Sequence, residues 1–296
     1  MFKTYKIILI LLGFSLIISS CKRESQQKQI KLNEKDTISL SQTITKIYYS
    51  LPSPLEIANL VQVGDINFDD KALFTPDQYL NFQTDNEKAL ALGIYAADLS
   101  FCTVFGQQQK SLEYFNVIKK LATDLDIVSV ISDSLMNQIE QNLNNVYKLQ
   151  QIVGEILFKT DALLQDSHRK DLALLVIYSS WVETMHLSLD MAAQAQNDSV
   201  KNQIYKIIAD EYFVVDYLIK MLQTSTLKQK DDFIHNIESV KALLKKLVKI
   251  SYKKVYDPYS GKMLKKKIIN YQLDAEVIKK LQQKILKIRK NIIEYR

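Results

Sequence analysis

The chain has 296 residues, 47% of them hydrophobic, with 39 Lys and Arg against 33 Asp and Glu. Six glycines and four prolines are too few for the many turns of an all-β fold, so helices joined by short loops are the economical architecture. Three histidines and two cysteines leave little for a nucleophile, base and orienter, and no Gly-rich phosphate loop, His-Glu-x-x-His or Gly-x-Ser-x-Gly is present.

Lys3 and Lys6 precede an apolar stretch, Ile7 to Ile18, of 12 residues. A helix crossing hydrocarbon needs about 20 apolar residues, so this stretch reads as the centre of a secretory signal peptide rather than a span. Ile18-Ser19-Ser20-Cys21 at its end resembles the lipobox of bacterial lipoproteins. That resemblance implies a diacylglyceryl thioether on Cys21 and signal peptidase II cleavage between Ser20 and Cys21. It also implies acylation of the new amino group, palmitate being one such chain. The covalent lipid is the only cofactor expected. Lys22 stands where enteric lipoproteins kept at the inner membrane commonly carry Asp, which favours the outer membrane; the leaflet is not readable. Residues 1–20 are thus the expected leader, and 21–41 a lipidated cysteine followed by a Gln-, Lys-, Glu- and Ser-rich solvated tether. Some 20 flexible residues have a root-mean-square reach of about 25 Å.

Residues 42–296 read as one all-α, bundle-like domain of about 7–9 helices. Thr43 or Thr45 opens a helical pattern running to about Val63, broken in two by Leu51-Pro52-Ser53-Pro54. Gly64 to Pro76 is an Asp-rich loop. Thr84-Asp85-Asn86-Glu87 is a capping box, opening a helix with Leu90, Ile94, Ala97 and Phe101 on one stripe and an end near Gly106. Further helices are predicted over 107–125, 133–160, 168–196, 199–223 and 227–253. The last spans about 273–294, with Val277, Leu281, Ile285, Ile288 and Ile292 in register. Asp257-Pro258 and Ser260-Gly261 are turn chemistry, and their flanks predict a small β-hairpin near 252–269.

"GIYAADLSF" at 93–101, with "LPSP" at 51–54 and "GQQQKSLEYF" at 106–115, resembles an uncharacterised family of all-helical cell-envelope lipoproteins. The resemblance covers roughly residues 45 to 195. It implies location and fold, and no activity.

Candidate functional residues are few. Asp98 has apolar helical neighbours, so it needs a buried partner or serves as the polar anchor of a ligand groove. Trp181 is a second candidate for such a groove. Ser179, Glu183, His186 and Asp190 share one face of an otherwise apolar helix. Glu183-x-x-His186 has the spacing used by di-iron carboxylate bundles, and Asp232-x-x-His235 offers a second pair, with Glu155 and Glu211 as candidate completing carboxylates. The competing readings are an internally bonded polar stripe and a helix start capped by acids. Cys102, among Leu99, Phe101 and Phe105, reads as core.

Charge is polarised. Residues 22–240 carry 20 basic and 29 acidic side chains, a balance of −9, whereas 241–296 carry 17 and 4, a balance of +13. The basic segment packs on the acidic body, faces anionic lipid headgroups, or meets an acidic partner; nucleic acid does not suit an exported chain. The leading functional expectation is a non-enzymatic, lipid-anchored binding or assembly module, meeting the membrane through its anchor, with another envelope protein as candidate partner. The alternatives are a metal-dependent, di-iron-like bundle enzyme and a structural, membrane-apposed scaffold.

Overall fold

The structure is a computed structural model and describes residues 60–64, 66–127, 133–145, 147–149, 151–152, 167–257, 259 and 261–294. The expected leader, Cys21, the tether, the Leu51–Pro54 break and Glu155 lie outside the described residues.

A helical turn at 60–64 and two 3₁₀ turns, Asp70–Ala72 and Pro76–Asn81, precede the first long helix. That helix, α1 (Asp85–Val104), opens on the predicted capping box. The Glu87 N–H donates to Thr84 Oγ1 at 3.3 Å, and the Thr84 N–H donates to Glu87 Oε2 at 3.0 Å. It closes before Gly106, whose φ of +65° turns the chain into α2 (Gln108–Asp124). The helix expected over 133–160 starts as predicted but is interrupted: α3 (Asp133–Gln141) stops in a turn at residues 142–144, and residues 147–149 and 151–152 are helical again. The core helix α4 (Ser167–Gln194) follows, about 42 Å long by its 28 residues.

The helix predicted over 199–223 divides into α5 (Asp198–Asp210), a 3₁₀ turn at Glu211–Phe213, and α6 (Val215–Gln223). The break sends two adjacent acids to different partners. Glu211 points inward to Trp181, and Asp210 accepts from the Tyr271 hydroxyl. The helix predicted over 227–253 ends sooner, as α7 (Lys230–Leu247). From Val248 the apolar positions alternate (Val248, Ile250, Tyr252), a strand period, and the backbone extends. The hairpin is therefore longer than predicted. Strand β1 (Val248–Asp257) pairs antiparallel with β2 (Lys262–Tyr271) over ten residue pairs, from Val248↔Tyr271 to Asp257↔Lys262. The final helix α8 (Ala275–Ile293) is capped by Asp274, whose carboxylate accepts from the Glu276 and Val277 N–H groups.

The all-helical architecture with one hairpin is as the sequence predicts. Helix α1 lies along α4 and α2, and α8 closes over α4 and α7. Residues 170–194 are long and apolar enough to cross a membrane, but 67% of that window is buried inside the body. The apolar surface of α4 is thus spent on the core. Cys102 is fully buried, as expected, and burial pushes its thiol up to about 12.

The α1–α4 contact depends on Gly93. An added methyl group there would overlap Ser179 Oγ and the Val176 carbonyl oxygen, both on the facing helix. Ser179 fills the space beside it and donates to the Leu175 carbonyl at 2.9 Å. Gly93→Ala is therefore expected to lower stability by about 2–3 kcal/mol, read as a shift of the urea midpoint.

Candidate functional site

Four distant pieces of chain meet in a polar cluster inside the bundle. Helix α4 supplies Glu183 and His186, α1 supplies Asp98, α8 supplies Arg289, and the loop before α1 supplies its backbone at Ala72 and Phe74. The Arg289 guanidinium grips Glu183 through two parallel bonds, Nε to Oε2 at 2.6 Å and Nη2 to Oε1 at 2.8 Å. Glu183 is fully buried and the Arg289 side chain 16% exposed. Arg289 Nη2 also donates to the Ala72 carbonyl at 3.3 Å. His186 Nε2 meets that same carbonyl at 3.2 Å. A carbonyl only accepts, so His186 carries its hydrogen on Nε2. Burial lowers its pKa, so the ring is neutral around pH 7.

Asp98 completes the cluster. Its Oδ2 accepts from the Phe74 N–H at 3.1 Å, whereas Oδ1 faces no donor among the described residues. Its neighbour is Glu183, also an acceptor. Burial first, and then the Glu183 charge, push the Asp98 carboxyl well above the usual carboxylate range. Protonated, Asp98 hydrogen-bonds to Glu183 instead of repelling it. The charges then balance as one carboxylate and one guanidinium. Nearby, Tyr114 Oη donates to the Phe74 carbonyl at 3.0 Å and Tyr95 Oη to Thr75 at 3.0 Å. The loop is pinned at four residues, Ala72, Phe74, Thr75 and Pro76.

Other buried acids are likewise engaged. Trp181 Nε1 donates to Glu211 Oε2 at 2.9 Å, and burial pushes the Glu211 carboxyl up to about 8. Asp171 accepts from both the backbone N–H and the hydroxyl of Thr226. The half-buried Asp190 accepts from Gln194 Nε2 at 2.6 Å.

The structure separates the residues that the metal reading would bring together. Glu183 lies in the core, bonded to Arg289. Asp232 and His235 are exposed on α7, at the rim of a cleft of about 270 Å³ that Tyr178, Asn236 and Asn291 also line. Asp232 sits in the first turn of its helix, where a carboxylate complements the helix dipole. Among the described residues no three His, Cys, Asp or Glu side chains are grouped to hold a metal ion. Asp98 and Trp181 do not line an open groove either; both are sealed in the core, Asp98 at 0% exposure and Trp181 at 1%.

Sequence reasoning missed Arg289. One signal was there: residues 241–296 carry 15 lysines but only two arginines, Arg289 and Arg296. Arginine's planar fork suits a buried bidentate pair in a way that a lysine does not.

Outside the bundle the conspicuous feature is the hairpin. Its base is held. The Tyr271 hydroxyl donates to Asp210 at 2.8 Å, Lys267 Nζ lies 4.0 Å from the centre of the Phe213 ring, and the Gln272 N–H donates to the Leu247 carbonyl at 2.9 Å. Beyond Ser251 on one strand and Ile268 on the other, every described residue is exposed except Asp257. The hairpin carries seven lysines against one aspartate. Two of its pairings set like charges directly opposite, Lys253↔Lys266 and Lys254↔Lys265.

No protein-family model matches the chain, and no curated protein or solved structure is significantly similar to it.

Removing the guanidinium leaves a buried carboxylate without its counter-charge. Arg289→Met is expected to cost about 3–5 kcal/mol, measured by urea unfolding. A second expectation concerns pH. The folded Glu211 pKa of about 8 lies above its ordinary value of 4.5, so across that window the folded chain holds a proton that the unfolded chain has lost. Its contribution to stability falls as pH rises, by at most about 1.4 kcal/mol per unit. Glu211→Gln keeps an acceptor for Trp181, and unfolding measured from pH 5 to pH 8 (the span of that window, to about one unit) should show a flatter decline than in the parent chain.

Proposed function

We propose that the chain is a lipid-anchored, non-enzymatic module of the bacterial cell envelope, with a helical body that presents the β1–β2 hairpin as its docking element. The observation that carries the anchoring is Ile18-Ser19-Ser20-Cys21 at the end of a 12-residue apolar stretch. Two or three acyl chains, at about 0.8 kcal/mol per buried methylene, hold a protein on a bilayer where one chain does so only marginally.

The polar interior supports the binding-module reading over a metal-dependent one. Glu183 and His186, the residues best placed in sequence for metal chemistry, are occupied in fixing Arg289 and the Ala72 carbonyl. A carboxylate neutralised by a bidentate guanidinium in the core is a poor ligand, because a metal would first have to displace a buried cation. The chemistry left over is on the surface, where the lysine-rich hairpin stands exposed.

Replacing the Cys21 sulfur tests the reading directly. In cells making Cys21→Ser, the chain is expected to keep its leader and to incorporate no labelled fatty acid. Continued sedimentation in full amount, with the leader removed, would sink the proposal.

A further inference from the structure

The hairpin's register places its side chains face by face. Directly paired residues of an antiparallel ladder project on the same face, and successive pairs alternate. One face carries the pair Lys254↔Lys265 and, one step further out, Tyr256↔Met263. The opposite face carries Lys253↔Lys266 and, further out, Val255↔Leu264. Both faces therefore set a lysine pair nearer the body and an apolar pair further out, and on the second face the Asp257↔Lys262 pair follows before the turn. Tyr259 in the turn is 98% exposed. The apolar tip shows Tyr256, Met263 and Leu264 at 50% exposure or more. The result is a collar of four lysines around the hairpin, with a mainly apolar and aromatic tip outside it that ends in the Asp257↔Lys262 pair.

Two simpler explanations fall short. Lysines on a two-stranded ribbon guard its free edges against pairing with other chains. That accounts for the collar, but not for apolar residues left exposed beyond it on both faces. Docking against one acidic protein surface would cover a single face and leave the other face's lysine and apolar pairs in water. Like charges set directly opposite also destabilise a ladder that has little else to hold it, since an isolated two-stranded hairpin is marginal in water. A partner that neutralises the collar on all sides, and accepts the tip on all sides, relieves both problems. A bilayer surface with anionic headgroups is such a partner. Tyrosine favours the headgroup layer, and lysine stems lie along apolar surface while their ammonium groups reach phosphate. From the lysine pairs to the Asp257↔Lys262 pair the strands run about 10 Å, which matches the depth of interfacial insertion. Asp257, the hairpin's one acid, is turned back on its own loop, where Oδ1 accepts from the Tyr259 N–H at 3.1 Å.

We infer that the β1–β2 hairpin is an interfacial wedge: its tip inserts among the headgroups of an anionic phospholipid surface, and Lys253, Lys254, Lys265 and Lys266 bind the surrounding phosphates. This rests on the proposed anchoring only in that the body is kept near a membrane; the wedge itself is a separate contact.

A tryptophan at the turn reports on it. Tyr259→Trp places a fluorophore at the tip, and the chain's own Trp181 is sealed in the core. The full-length chain is mixed with vesicles of brominated phosphatidylglycerol and phosphatidylcholine, and separately with brominated phosphatidylcholine alone. Quenching of the reporter is expected on the anionic vesicles and at least about fivefold less on the neutral ones, since each lysine near such a surface changes the partition ratio by about fivefold. The same loss is expected on anionic vesicles when all four collar lysines are changed to Gln, and when Tyr256→Ser and Met263→Ser are combined. The lysine replacements remove like-charge pairs, so circular dichroism should show the fold retained. Equal quenching on both vesicle types, none on either, or full quenching in the four-lysine variant overturns the wedge. Sedimentation of the chain with the vesicles is read in parallel. A chain that sediments without quenching condemns the hairpin and leaves the anchor standing. Quenching in a Cys21→Ser chain supports the wedge independently of the anchor.

Discussion

The buried pair of Glu183 and Arg289 is the constraint from which the rest of the architecture follows. It joins the core helix α4 to the last helix α8 across 106 positions of sequence, and through the Ala72 carbonyl it also holds the loop before α1. Ion pairs taken out of water gain little net free energy, because desolvation offsets most of the attraction. Their effect is on specificity. Helix α8 has a regular apolar stripe and would slide or rotate against α4 and α7 at small cost; the guanidinium fork permits one setting. The hairpin lies between α7 and α8 in the chain, so the seating of α8 also fixes the hairpin's base against Asp210 and Phe213.

A second regularity is how the interior deals with surplus acid. Asp98 and Glu211 are both fully buried without a cation of their own. Burial raises both carboxyl groups, and each is stabilised by a hydrogen-bond partner: the Phe74 N–H and Glu183 for Asp98, the Trp181 indole for Glu211. Neutral carboxyls of this kind act as pegs between elements. They give the bundle a unique packing without adding charge, and the net charge that distinguishes the chain is left to its surface, above all to the basic residues after position 240.

What the sequence disclosed and what it hid divide along physical lines. The capping box at Thr84, the stripe of α8 and the turn at Asp257–Gly261 were legible because each is encoded within a few residues. The burial of Cys102 and Asp98 followed from helical neighbours. Hidden were matters settled by distant contacts. The break between α5 and α6 has no glycine or proline; it occurs where Asp210 and Glu211 find partners on β2 and α4. The end of α7 was misplaced because Lys-rich, amphipathic sequence continues unbroken past Leu247, and only the change of period from helical to alternating marks the strand. Glu183-x-x-His186 was read toward metal because the spacing is right for it, while the residue that takes up Glu183 lies in another helix. An arginine among lysines was the one local hint.

The proposed hairpin contact and the proposed anchor would strengthen each other in a way that neither achieves alone. A marginal ribbon with four collar lysines is a weak ligand for a bilayer when it arrives from bulk solution, because association then carries the full loss of translational freedom. A chain already held by acyl groups has met that cost. On the proposed anchoring the body would stay close to the surface, where effective concentrations reach the millimolar range and modest contacts become populated. The converse also holds. Acyl chains on one cysteine, as proposed, would fix distance but not orientation, because a single point of attachment does not set which way the body faces. A wedge entering the headgroup layer at a second point, on a base held by Tyr271 and α8, would set which face of the body looks outward. On these two proposals retention and orientation would be separate properties: a thioether at residue 21 for the first, and the hairpin lysines between 253 and 266 for the second.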